Sequence, residues 1–137
     1  MTIDKKDAAE LNGTALAYAG DAVTELFVRT YILSRGITDT GRYNELARRF
    51  VTAHAQSEAY ARIEPALSEE ERDILRRGRN AKLTHRPKNQ TQTDYRRATG
   101  FEALLGYLYL SGETERAEEL FRLAYIDVLD GLTNKTL

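Results

Sequence analysis

Leu16-Ala17-Tyr18-Ala19-Gly20-Asp21-Ala22-Val23 places one carboxylate among small and apolar residues, inside the first long apolar-periodic segment of the chain. A second stretch repeats the pattern: in Phe101-Glu102-Ala103-Leu104-Leu105-Gly106-Tyr107-Leu108, Glu102 is the single charge between Ala98 and Leu110. A carboxylate buried without compensation is costly, so it is protonated, paired or metal-bound. Gly20 and Gly106 both fall inside helical patterns, where glycine is less favourable than alanine by about 1 kcal/mol. Glycine at such positions is explained if another backbone must come close. The expectation is two helices that cross through these glycines and bring Asp21 and Glu102 to one divalent cation. Hard oxygen ligands suit Mg²⁺, with Mn²⁺ as a substitute. The plainer alternative is an Asp that faces solvent or pairs with a base, with glycines that only relieve packing. Glu25, one turn after Asp21, adds a ligand or pairs with Arg29, and the pairing is the simpler reading.

The composition narrows the class. A hydrophobic content of 42% with 30% charge is that of a soluble globular domain, and 137 residues suffice for one core. One domain is expected over 1–137, with its core at about 11–129. No apolar run approaches bilayer-spanning length, and the N-terminus lacks the basic-then-apolar pattern of a signal peptide, so a cytoplasmic location is expected. The absence of cysteine excludes disulfides, thiolate catalysis and cysteine-ligated zinc.

Working outward, Asn12 is placed to cap a helix running to about Ser34, ended by Gly36. Its apolar positions, Ala15, Ala19, Ala22, Val23, Leu26, Phe27, Thr30 and Tyr31, recur at helical spacing. Residues 1–10 read as a partly ordered lead-in. A second helix is expected from Tyr43 to Ile63, with Leu46, Phe50, Ala53, Ser57 and Tyr60 on one buried face and Pro65 after it. Ser68 and Glu71 form a capping box for a third helix, Glu69 to Arg77. Periodicity is lost between Gly78 and Thr93, which reads as an exposed loop. Thr93 or Asp94 is placed to cap the helix that carries Glu102, ending near Leu110 with Gly112 beyond. A last amphipathic helix spans Glu113 to Leu129, with Ala117, Leu120, Phe121, Ala124 and Val128 on one face, and nothing in the tail from Thr133 to Leu137 holds it. No segment alternates as a strand does. The fold class is all-α.

The net charge of −1 hides an uneven distribution. Between Arg72 and Arg97 stand nine Lys or Arg against two acids, a local charge near +7, so the rest of the chain carries about −8. A charge run is often only a solvated face. Asymmetry this pronounced beside a Gly-Asn loop favours contact with the phosphates of a polyanion through Arg76, Arg77, Arg79, Lys82, Arg86 and Lys88. The two histidines, His54 and His85, form no recognisable triad with a nucleophile. His85 reads as a solvated loop residue.

Taken together, these residues carry a resemblance. Leu16 to Val23 resembles the signature helix of the ribonuclease III catalytic domain, and Phe101 to Gly106 that family's second conserved helix. The order and separation of the two motifs fit as well. The chain length, the lack of an appended double-stranded RNA-binding domain and the stretch Arg77-Gly78-Arg79-Asn80-Ala81-Lys82 are similar to the mini-ribonuclease III branch. The resemblance runs from about Leu11 to Leu129. It implies Mg²⁺-dependent hydrolysis of double-stranded RNA, leaving 5′-phosphate and 3′-hydroxyl ends, with precursor 23S rRNA as substrate. It also implies a homodimer whose two sites share one cationic valley, with Tyr18, the aromatic of the signature, packed against the partner. Of the family's four acidic ligands, Asp21 and Glu102 match two. The other two positions are Ala17 and Thr99, a reduced set that is itself similar to the mini branch. Because of that gap, a catalytically inactive RNA-binding module on the same scaffold is the alternative. A protein–protein adaptor would explain the amphipathic helices but not the isolated carboxylates.

Overall fold

The computed structural model describes residues 1–82 and 88–135, with side chains described as far as Leu132. Among the described residues it is all-α, with no strand. Helix α1 spans Lys5–Glu10, α2 Gly13–Ser34, α3 Thr40–Val51, α4 Ala53–Ile63, α5 Glu69–Arg79, α6 Gln92–Leu110, α7 Thr114–Ala124 and α8 Ile126–Lys135. A 3₁₀ turn at Glu64–Ala66 links α4 to α5. The helices α2, α4 and α5 pack around α6, which is the central element.

Local chemistry explains most boundaries. The Asn12 side chain accepts from the Ala15 backbone at 2.8 Å and starts α2, and Gly36 at φ +79° turns the chain after its end. Ser68 and Glu71 close their capping box in both directions at α5. Gly112 at φ +87° follows α6 as expected.

Five expectations are corrected. The lead-in is ordered as α1: Asp4 caps it, Ala8 is fully buried, and Ile3 N–H donates to the Leu110 carbonyl at 2.7 Å. Six residues are too few for a periodicity to show. The single helix from Tyr43 to Ile63 is two, because Thr52 takes an extended conformation (ψ 152°) and its hydroxyl caps α4 by accepting from Ala55. The expected stripe is nonetheless buried throughout. The helix bearing Glu102 starts earlier, with Thr91 rather than Thr93 or Asp94 as its cap. The last helix is broken at Tyr125, whose ring is buried among Phe50, Phe101 and Phe121 and whose hydroxyl donates to the Phe50 carbonyl at 2.7 Å. After it, α8 continues to Lys135 and fully buries Leu132, so the tail is held further than expected.

The buried face of α2 is Leu16, Gly20, Val23, Thr24, Val28 and Ile32. That is a different face from the apolar positions at the surface, where Tyr18 is 86% exposed, Leu26 53% and Leu33 54%. Helix α2 therefore has two apolar faces, one of them filled by α6. No helix among the described residues is long and apolar enough to cross a membrane.

Candidate active site

The two acidic motifs meet where α2 crosses α6. A Cβ built on Gly20 would lie 1.7 Å from the Glu102 carbonyl oxygen, and one on Gly106 would lie 2.1 Å from the Leu16 carbonyl oxygen. Both glycines thus admit the partner helix's backbone, which explains residues that are unfavourable inside helices. The Thr24 hydroxyl donates to the Gly20 carbonyl at 2.8 Å within this buried crossing.

This close approach brings Asp21 and Glu102 into hydrogen-bond contact. Burial, then the hydrogen bond and charge of Asp21, push the Glu102 carboxyl up to about 9, with Glu25 adding to the rise. Near neutral pH the metal-free Glu102 carboxyl therefore keeps its proton beside Asp21. Glu25 itself is paired with Arg29 at 3.3 Å. The Ala17 and Thr99 positions supply no further carboxylate, and the Thr99 hydroxyl donates to the Tyr95 carbonyl at 2.9 Å. Among the described residues no group of three or more His, Asp or Glu is gathered to hold an ion. Two carboxylates without an intervening base suit a hard divalent cation whose remaining positions go to water or phosphate.

One side chain at this point was not among the sequence candidates. Gln56 of α4 is only 4% exposed, and its Nε2 donates to Glu102 Oε2 at 3.5 Å. The signal was available as a polar residue between Ala53, Ser57 and Tyr60 on a buried helical stripe.

The basic residues divide by what their side chains do. Arg76, Lys82 and Lys88 are exposed. Arg77 turns inward, donating to the Ala9 carbonyl at 2.6 Å and the Leu11 carbonyl at 2.5 Å, and so ties the end of α1 to α5. Arg79 donates to the Tyr60 hydroxyl at 3.0 Å, while Arg97 lies 5.8 Å from the centre of the same ring. Arg96 donates to the Arg79 carbonyl at 3.4 Å. Arg86 and His85 lie outside the described residues. His54 sits between Asp94 and Glu58, at 3.3 and 2.9 Å. Tyr18 stands exposed on the outer face of α2, away from the carboxylates' crossing partner α6.

The protein is an all-α domain that drives two helices together through glycine and leaves one carboxylate from each at the contact. Residues 14–113 match the Ribonuclease III domain. The protein is 46% identical over 120 residues to the mini-ribonuclease 3 of Clostridium tetani, covering 87% of this chain and 80% of that relative. It is 47% identical over 109 residues to the mini-ribonuclease 3 of Symbiobacterium thermophilum, covering 80% and 84%. A crystal structure of a Fusobacterium nucleatum protein superposes with a TM-score of 0.76 at 31% identity, covering 86% of this chain and 94% of that one. The chain belongs to the ribonuclease III family, in its mini-ribonuclease III branch.

Proposed function

We propose that this protein is an endoribonuclease that cuts double-stranded RNA with Mg²⁺, leaving 5′-phosphate and 3′-hydroxyl ends. The observation that carries the reading is the α2–α6 crossing, which holds Asp21 and Glu102 in contact with no basic side chain between them. When bound there, a divalent cation activates water and neutralises charge on the scissile phosphate. Asp21 and Glu102 would hold and orient that ion, and Glu102 would give up its proton as the ion binds. Arg76, Lys82 and Lys88 contact phosphates across the duplex, Arg86 extends the same charge run, and Arg79 and Arg97 are arranged around Tyr60 beside it. Arg77 contributes by docking α1 instead. The biological substrate under this reading is precursor 23S rRNA, matured at its ends in the cytoplasm.

Cutting both strands requires two sites. The outer face of α2, with Tyr18, Ala22, Leu26 and Leu33 exposed at spacings of four, four and seven residues, is the surface that pairs two copies. The deciding experiment incubates labelled duplex RNA with the protein, with Mg²⁺ and with chelator. Cleavage only with Mg²⁺, lost in Asp21→Asn and Glu102→Gln, is expected. Retarded but uncut RNA under both conditions refutes the nuclease and leaves the inactive RNA-binding module that Ala17 and Thr99 put in view.

A further inference from the structure

The crossing fixes the Glu102 backbone, but its carboxylate must be oriented separately. Its carbonyl is pressed against Gly20, so its Cα cannot shift, but three side-chain torsions separate that Cα from the carboxylate. With Ala17 and Thr99 where other ligands stand in the family, neighbouring acids do not help hold an ion in place. How well Glu102 is held then governs how well the ion is held.

The hold comes from α4. Its first turn is pinned to the start of α6 by His54, 3.3 Å from Asp94, and by Ser57, whose hydroxyl donates to the same carboxylate. One turn on, the Tyr60 ring packs against α6 beside Gly100, where an added Cβ would meet it at 3.1 Å. Gln56 projects from this clamped segment, buried to 4% exposure, with its amide directed at Glu102 Oε2. The chemistry of the amide fits that task. A Lys or Arg here would compete with the cation for the carboxylate, and an Asp or Glu would crowd a third carboxyl against Asp21 and Glu102. A neutral donor fixes one carboxylate oxygen and leaves the other for the ion.

We infer that Gln56 is a positioning residue, whose clamped and buried amide holds the Glu102 carboxylate in the orientation that binds the divalent cation. It does not touch the RNA or the reacting atoms. The inference rests on the metal reading of Asp21 and Glu102, and the test keeps the two apart.

The RNA-free protein is titrated with Mn²⁺ and free ion is followed by electron paramagnetic resonance, for wild type, Asp21→Asn and Gln56→Met. Gln56→Met preserves length and apolar packing and removes the donor. Expected is a loss of Mn²⁺ affinity of about tenfold or more in Gln56→Met, the range for residues that orient a metal ligand. Its melting temperature in chelator should stay close to wild type, and kcat on duplex RNA should fall with KM little changed. Gln56→Met that binds Mn²⁺ like wild type, while Asp21→Asn does not, overturns the role of Gln56 and leaves the metal site standing. Equal binding by wild type and Asp21→Asn overturns the metal site itself. Should Gln56→Met fail to fold, the wild-type protein still decides the matter by nuclear magnetic resonance. The Gln56 side-chain amide signal must move on adding Mg²⁺, with the same midpoint as the Asp21 backbone amide, and a Gln56 signal unmoved at saturation refutes the inference.

Discussion

Gly20→Ala is the sharpest test of how the site is built. The added methyl would lie 1.7 Å from the Glu102 carbonyl oxygen, well inside the roughly 3.5 Å at which non-bonded carbon contacts are comfortable. The obstacle is backbone of a central helix, so it cannot be relieved by turning a side chain. Either α2 and α6 separate along the crossing or one of them bends. Overpacking of a close-packed core costs about 1–3 kcal/mol and more where backbone must move, against about 1 kcal/mol gained in helix propensity. Because the obstacle here is backbone, a cost above that range, about 4 kcal/mol, leaves a net loss of about 3 kcal/mol. An unfolding entropy of about 2.1 cal/mol/K per residue gives roughly 0.3 kcal/mol/K for a chain of this length, so the melting temperature should fall by about 10 °C. Gly106→Ala, with its methyl 2.1 Å from the Leu16 carbonyl oxygen, should behave alike. Gly131→Ala in α8 is the control: nothing lies within 4 Å of its added Cβ, so its melting temperature should hold or rise slightly. Calorimetry on the three variants in chelator measures all of this without reference to RNA or metal. Gly20→Ala as stable as wild type would mean that α2 and α6 do not meet at these glycines.

Further outcomes follow from the same geometry. In chelator, stability should fall as pH rises from about 4.5 to about 9, because the folded protein keeps a proton on Glu102 that the unfolded chain has released. The contribution is complete below the unfolded value and lost through the folded one. Glu102→Gln, which mimics the protonated form, should flatten that slope in urea titrations, and an unchanged slope assigns the proton elsewhere. Because an ion must displace that proton, Mg²⁺ affinity should strengthen between pH 7 and pH 9, which calorimetric titration reads directly. Neutralising Arg76, Lys82 and Lys88 should lower the slope of log K for duplex RNA against log salt by about 0.7–0.9 for each phosphate no longer paired with a cation. Arg77→Ala should instead lower stability by about 2 kcal/mol, through the two charged hydrogen bonds it makes to Ala9 and Leu11, with the salt slope nearly intact. Tyr18→Glu with Leu26→Glu should halve the mass measured by light scattering, and a wild-type monomer would refute the pairing surface.

What the sequence revealed and what it concealed differ in physical kind. The glycine crossing was legible because Gly inside a helix is unfavourable on its own terms, so Gly20 and Gly106 had to be explained by something outside their own helices. Caps such as Asn12 and Ser68 were legible because each satisfies a backbone donor within three residues. The breaks at Thr52 and Tyr125 were not, since either segment continues a helical pattern. What stops them is tertiary: Thr52 must cap the next helix, and Tyr125 must reach the Phe50 carbonyl. The charge run could be counted, but a count does not say where a guanidinium points, and Arg77 points at backbone.

The apolar pattern of α2 misleads about its core face for a reason that bears on function. A helix with one partner shows one apolar stripe. Here Leu16, Gly20, Val23, Thr24 and Val28 face α6 and the core, while Tyr18, Ala22, Leu26 and Leu33 face outward and are equally small or apolar. The two patterns superpose in the sequence, and the larger side chains of the outer one dominate it. Asp21 lies between them, exposed on the boundary. On the proposed reading, one face of α2 binds Glu102's helix, the other binds a second copy, and the carboxylate at their edge is left open to RNA. A change on the outer face can then alter cleavage through the position of α2 while leaving both carboxylates unchanged. Leu26→Ala, which trims that face beside Glu25 without adding charge, separates the cases. If the pairing surface supports the site, kcat should fall and recover at high protein concentration, whereas a loss independent of concentration would place the defect within one chain.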